Sequence, residues 1–283
     1  MISVVVPIYN AEKTLDACLQ SISTQLFLPK QVVLINDGST DNSLVICGEW
    51  AKNKDFEIII YSQENKGLGA ARNSGISRCS QKWVAFLDAD DIWNEYKLEL
   101  CHSHLLQQDC DVLYHEVNSF GLGTEKKRAA WPINSLQDLL LKGNPIFPSA
   151  VVVKKSNLLD HPFQTNPQFH GAEDLYLWIE LLEDGKIFDF MNQALCQYRE
   201  SGGMSTQLEN HLEHVQNVLN HFLEKAYFTQ IELKQAWQRK NYEAARFYHK
   251  RGLFKQAKKH YSLTNSSLKI NTLQFLGRLK IKI

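Results

Sequence analysis

Up to about residue 100 the chain alternates short apolar runs with amphipathic helical stretches, and this alternation restricts the fold more than any other feature. Ile2–Ile8 is a Val-rich strand, and Ala11–Thr24 carries Leu15, Cys18, Leu19 and Ile22 on one helical face. Gln31–Asn36 reads as a second strand, and Ser39-Thr40-Asp41 as the cap of a helix running to about Lys52. Phe56–Tyr61 is a third strand. A turn containing glycine leads into a helix from about Leu68 to Arg78, and Trp83–Leu87 is a fourth strand. Strands separated by helices pair in parallel and are covered on both faces, so the fold class is α/β. Such sheets bind ligands beyond the carboxyl ends of their strands. Asn10, Asp37 and the run Asp88-Ala89-Asp90-Asp91 all fall there.

The pattern then loosens. Leu98, Cys101 and Leu105 mark one more helix, Asp111–Asn118 a strand, residues 119–132 a loop or exposed hairpin, and Ala150–Lys154 another strand. The loop His161–Gly171 delivers Glu173-Asp174 to the start of a helix with Leu175, Trp178, Ile179 and Leu182 inward. From about Gln207 the periodicity is helical without strand signals. The expected organisation is a domain over residues 1–205 and a helical subdomain over 206–283.

Composition places the chain among ordinary globular proteins, at 44% hydrophobic and 22% charged. The six cysteines form no CxxC pair, so they read as buried reduced thiols. No signal peptide and no apolar run long enough to span a bilayer are visible, which points to the cytoplasm. Charge is balanced overall but uneven. From Arg239 onward only Glu243 opposes a long series of Lys and Arg. A basic tail on an acidic body suits a membrane surface or another anionic partner, and would agree with a peripheral position on the inner face of a membrane.

Trp83-Val-Ala-Phe-Leu-Asp-Ala-Asp-Asp91 is an apolar strand ending in carboxylates. Such a cluster is costly unless its charge is compensated, and a divalent cation carrying a diphosphate is a common compensation. Four segments share an order and spacing: Val-Val-Val-Pro-Ile-Tyr-Asn, Asn-Asp-Gly-Ser-Thr-Asp, Asn-Lys-Gly-Leu-Gly-Ala-Ala-Arg-Asn, and Leu-Asp-Ala-Asp-Asp. Together they resemble the family 2 inverting glycosyltransferases with the GT-A fold. Glu-Asp before Leu-Tyr-Leu-Trp, and Tyr198-Arg199 followed by Gly-Gly-Met-Ser, extend the likeness to about residue 205.

The resemblance implies a GT-A fold, Rossmann-like with a mainly parallel mixed sheet, plus the carboxyl-terminal helical subdomain. It implies a nucleotide-sugar donor, UDP-linked by preference, and one sugar moved to an acceptor hydroxyl in surface polysaccharide or lipopolysaccharide assembly. The acceptor would be a saccharide or lipid-linked saccharide; no nucleic acid is involved. Asp37 would accept the imide N–H of the base, with Pro7, Tyr9, Asn10 and Glu12 lining the same slot and Arg72 facing the base. Lys66 and Gly67 suit backbone approach to phosphate. Asp90 would bind Mn²⁺ or Mg²⁺ directly, and Asp88 would contact the ribose or the metal through water, with Ala89 between them. Asp174 is the candidate general base, with Glu173 competing for the role.

Family members often carry a His where this chain has Ser201, and the Gln-x-x-Arg-Trp element of processive synthases does not occur. Two alternatives remain at this point. A sugar nucleotidyltransferase would want a Gly-rich basic loop where Tyr9-Asn10-Ala11-Glu12 stands. A catalytically idle scaffold would bind partners through the helical tail. Secondary signals are His211, His214 and His221 on one helix, a tetratricopeptide-like pair over Tyr242–Leu268, and an amphipathic basic end at Leu273–Ile283.

Overall fold

Val4, Val5 and Val6 are fully buried, on both faces of their strand. Burial of successive residues requires helices above and below a parallel sheet. In the computed structural model, which describes residues 1–121, 126–200, 208–264 and Leu273, that strand is β1 (Ile2–Ile8). It is followed by α1 (Leu15–Ser23), β2 (Gln31–Asp37), α2 (Ser43–Trp50), β3 (Glu57–Gln63), α3 (Leu68–Arg78) and β4 (Trp83–Phe86). β5 (Ile92–Trp93), α4 (Lys97–Gln107), β6 (Val112–Phe120), β7 (Lys126–Arg128), α5 (Leu136–Lys142), β8 (Val151–Lys154), α6 (Lys155–Asp160), α7 (Glu173–Glu183) and β9 (Phe188–Arg199) come next.

These strands form one sheet in the order β3-β2-β1-β4-β8-β6-β9-β5, with β7 paired to β6. β3, β2, β1 and β4 are parallel, and β8 enters antiparallel between β4 and β6. β6 and β9 are parallel, and β5 closes antiparallel on β9. The core packs Leu15, Cys18, Leu19 and Ile22 of α1 against Val4, Val6, Val32, Leu34 and Ala85 of the sheet. All six cysteines are buried and free.

Several elements differ from the sequence reading for local reasons. α1 begins at Leu15, not Ala11, because the Ala11 and Glu12 amides donate to the side chains of Ser43 and Asp41. Asn42, not the Ser39–Asp41 run, occupies the N-cap position of α2. The segment 119–132 contains the hairpin strand β7. On α7 Leu181 is buried and Leu182 is only half-buried. β9 carries Asp189, Asn192, Gln193 and Gln197 among its apolar residues, so no apolar run announces it.

The chain divides into two units, Met1–Leu136 with Pro145–Thr206, and Gln137–Asn144 with Gln207–Ile283. Residues 137–144, inside the first expected domain, thus belong to the second unit. That unit contains α8 (Leu208–Glu224), α9 (Gln230–Lys250) and α10 (Phe254–Tyr261). Thr229 and Glu232 cap α9 reciprocally. Tyr248, Ala257, Tyr261 and Leu273 pack together, and the buried His260 ring bridges Asn241 and Glu209 at 2.9 and 2.8 Å. Ser201 and the rest of Leu273–Ile283 lie outside the described residues.

Candidate active site

A cleft of about 900 Å³ opens beyond the carboxyl ends of β1, β2 and β4. Pro7, Tyr9, Asn10, Glu12, Asp37, Gly67, Asp88, Ala89 and Asp90 line it, nine residues picked out in the sequence from four separate loops. Lys66 and Arg72 do not. Lys66 is exposed and contributes its backbone amide, and Arg72 is buried beneath the cleft wall.

The loops after β1 and β2 are laced together. Asn10 Oδ1 accepts from the Thr40 amide at 2.8 Å, and Glu12 Oε2 accepts from the Asn42 amide at 3.2 Å. Asn10 takes a left-handed φ of 48°, tolerable for Asn because its short side chain bonds locally. Asn36 Oδ1 accepts from the Ser39 amide three residues on. Asp37 instead reaches the loop before α3. Its Oδ1 accepts from Gln63 Nε2 and the Lys66 amide, and its Oδ2 accepts from the Gly67 amide at 2.9 Å. A carboxylate has about four lone-pair sites. Three hydrogen bonds leave one acceptor position at the cleft wall. Gly67 has φ of 86°, a conformation that favours glycine.

The turn after β4 concentrates negative charge. The Asp88 carboxylate is held by Arg72 Nη2 at 2.8 Å, and its amide donates to Ser149 Oγ. Thr14 Oγ1 donates to the Ala89 carbonyl, and Arg199 Nε to that of Asp90. Asp91 is buried and accepts from the Arg199 amide, so it anchors the turn to β9 rather than capping the next helix. Burial, then the charges of Asp88 and Asp90, push its carboxyl well above the usual carboxylate range. Asp91 Oδ2 is buried without a hydrogen bond among the described residues.

This surplus negative charge and all-oxygen donor set fit a hard divalent cation. Among the described residues no three His, Cys, Asp or Glu side chains converge as a complete metal cage. Asp90 and Asp88 could supply one or two of the oxygens such a cation needs. His211, His214 and His221 on α8 form no such cage either.

Arg72 departs from the sequence reading. Its guanidinium is 1% exposed and forked between Asp88 and Glu173, donating from Nη1 to Glu173 Oε1 at 2.8 Å. It does not line the cleft. Glu173 is buried, with Oε1 on Arg72 and Oε2 accepting from the Gly171 amide at 2.6 Å. Both of its carboxylate oxygens are thus engaged within the protein. Asp174, the next residue on α7, is half-buried and carries a carboxyl pushed up to about 6. Burial is the main cause and the Glu173 charge the second, with Arg72 opposing both. Asp174 does not line the cleft; His170, earlier in the same loop, does. His170, Thr14 and Ser149 escaped the sequence reading because no spacing marks them; only the fold brings His170 and Thr14 to the cleft and sets the buried Ser149 against the Asp88 amide.

A sequence comparison decides the family: the profile of Glycosyl transferase family 2 matches residues 3–158, more than half of the chain. The chain belongs to glycosyl transferase family 2. It is a glycosyltransferase, which removes the nucleotidyltransferase alternative. The chain is 30% identical over 227 residues to the UDP-Glc:alpha-D-GlcNAc-diphosphoundecaprenol beta-1,3-glucosyltransferase WfgD of Escherichia coli, covering 79% of this chain and 87% of WfgD. It is 40% identical over 119 residues to Glycosyltransferase GlyA of Streptococcus pneumoniae, covering 42% of this chain and only 17% of GlyA.

Two solved structures show the same GT-A architecture at low identity. S. aureus TarS 1-349 in complex with UDP-GlcNAc superposes with a TM-score of 0.66 at 18% identity, covering 99% of this chain and 87% of that one. The Pyrobaculum calidifontis mannosyltransferase PcManGT in complex with GDP-Man and Mn²⁺ gives a TM-score of 0.68 at 16% identity, covering 98% and 79%. The family 2 domain is thus a GT-A domain.

Proposed function

We propose that this family 2 enzyme moves one sugar, with inversion, from a UDP-sugar to a hydroxyl of a lipid-linked saccharide during surface polysaccharide assembly. The observation that carries the reading is the cleft, where Asp37, Asp88 and Asp90 meet from the ends of β2 and β4. The remaining acceptor position of Asp37 suits a uracil imide N–H. The UDP-Glc in the name of WfgD and the UDP-GlcNAc bound to TarS support the choice of nucleotide. The WfgD acceptor, a diphosphoundecaprenol, supports a lipid-linked acceptor.

Asp90, with Asp88 beside it, would hold Mg²⁺ or Mn²⁺; when bound, the cation neutralises the departing diphosphate. Asp88 is oriented by Arg72, and Asp37 fixes the loop before α3. Asp174 takes the proton of the acceptor hydroxyl as that oxygen bonds to the anomeric carbon. The bond from that carbon to the diphosphate oxygen breaks on the opposite face, and UDP leaves with its electron pair. A carboxyl with its pKa at about 6 is mostly ionised at neutral pH, as a base requires.

We place the enzyme on the cytoplasmic face of an anionic membrane. Exposed Lys250, Lys255 and Lys258 support that location. Among the described residues no helix is long and apolar enough to cross a bilayer. Calorimetry with UDP, with and without Mn²⁺, followed by a screen of nucleotide sugars for donor hydrolysis, tests the reading. Metal-dependent UDP binding and hydrolysis of a UDP-sugar are expected; no UDP binding with metal present would leave the idle scaffold instead.

A further inference from the structure

Helix α3 touches both sides of the reaction. Toward the donor, Arg72 Nη2 holds both oxygens of Asp88, at 2.8 and 3.2 Å. Toward the acceptor side, Arg72 Nη1 holds Glu173, a residue 101 positions later in the chain. The same helix carries the loop leading to α7. Asn73 Nδ2 donates to the Phe163 carbonyl at 2.8 Å, and the Phe163 amide returns a bond to Asn73 Oδ1 at 2.9 Å. A Cβ at Gly69 would lie 2.2 Å from the Gln164 carbonyl oxygen, so the loop backbone rests directly on α3. The Phe163 ring lies 5.2 Å from the guanidinium carbon.

We propose that Arg72 and Glu173 are positioning residues that fix the first turn of α7, and with it Asp174, against the carboxylate turn after β4. The inference rests on the reading of Asp174 as the base. A guanidinium is a planar fork with its donors at fixed angles, so two carboxylates bound to its two ends are held at a set separation. A buried charge network of this kind is often no more stabilising than well-packed apolar side chains. Its gain here is geometry. Glu173 also holds the Gly171 amide, which fixes the backbone entering α7 as well as its first side chain. The charged groups set against Asp174 are Glu173 on its own helix, Arg72 on α3 and Asp88 at the end of β4.

The test uses the full-length enzyme with its UDP-sugar donor and Mn²⁺. Glu173→Gln should lower kcat about 100-fold, the scale of a misplacement of about 1 Å, while UDP affinity in the presence of Mn²⁺ stays as in wild type. The acid limb of its kcat–pH profile should move down from about 6, because one negative neighbour of Asp174 is gone. Glu173→Asp keeps the charge but withdraws it by one methylene. It should lose kcat while its acid limb stays in place, which separates position from charge.

Wild-type kcat in both variants overturns the proposal, as does a fall in kcat matched by an equal loss of UDP affinity with the acid limb unmoved. Should Glu173→Gln fail to fold, the same two criteria applied to Glu173→Asp decide. Asp174→Asn is run in parallel. If it keeps full activity, the base assignment has failed; if it is inactive while both Glu173 variants are normal, only the positioning role has.

Discussion

The rim of the cleft and the charge cluster beneath its wall are built from different interactions. At the rim, the loops after β1, β2 and β3 are tied mainly by side chains accepting from backbone amides: Asn10 from Thr40, Glu12 from Asn42, Asp41 from Glu12, and Asp37 from Lys66 and Gly67. Several of these bonds are exposed, and each is one among several. Beneath the cleft wall a single buried cation, Arg72, ties the Asp88 turn to Glu173, with Asp174 and Asp91 nearby in pushed-up states. A laced loop loses one bond at a time. A buried charge cluster fails together, because removing one member strands the others in low dielectric.

Four substitutions sharpen this contrast, in decreasing order of expected effect. Asp174→Asn should reduce sugar transfer about 10²–10⁴-fold, the usual contribution of a general base, with UDP binding intact; a rate assay beside calorimetry reads both. Arg72→Met should cost about 3–5 kcal/mol in chemical denaturation, because Glu173 is left buried with its charge unpaired. A cost below about 1 kcal/mol would show that the two regions are not different in kind. Asp37→Asn turns one acceptor oxygen into a donor that faces existing N–H groups. A loss of about 1–3 kcal/mol, with weaker UDP binding, is expected. Asn10→Ala should cost only about 1–2 kcal/mol, from two lost exposed bonds to Thr40 and the strain of a left-handed Ala, and leave kcat near wild type.

The pH dependence sharpens the same comparison. The folded-state pKa of Asp174, about 6, lies above its unfolded value, so the folded chain binds this proton more tightly. The carboxyl therefore favours folding below about pH 4, and that contribution is lost as pH rises through 6. Asp174→Asn should accordingly be more stable than wild type at pH 8, by up to about 3 kcal/mol and less where water screens the group. Thermal unfolding at pH 8 and pH 4 checks the sign. Transfer should fall about tenfold per unit below pH 6, where the base is protonated.

Much of the donor side could be read from the chain, and its reason is local. β1 to β4 are apolar runs with helices between them, so their carboxyl ends and the residues there, Asn10, Asp37, Asp88 and Asp90, follow from topology. β9 was not legible, because polar residues interrupt it and it pairs with a strand far earlier in the chain. Arg72 could be placed on a helix beside the site, but the direction of its guanidinium could not. Periodicity tells which face a residue occupies, not which of several carboxylates will claim it.

By itself, the order of residues determined the alternating strands and helices, the rim where chemistry gathers, and the kinship with family 2. Those depend on nearest neighbours along the chain and on periods of two and 3.6 residues. Only the folded molecule decided that Arg72 joins Asp88 to Glu173, that Asp37 pins the loop before α3, and that Asp91 is driven toward its protonated form. Those outcomes depend on distance and burial between segments as many as 101 residues apart. The strength of a charge interaction is set by the medium around it, and that medium exists only after packing has expelled the water.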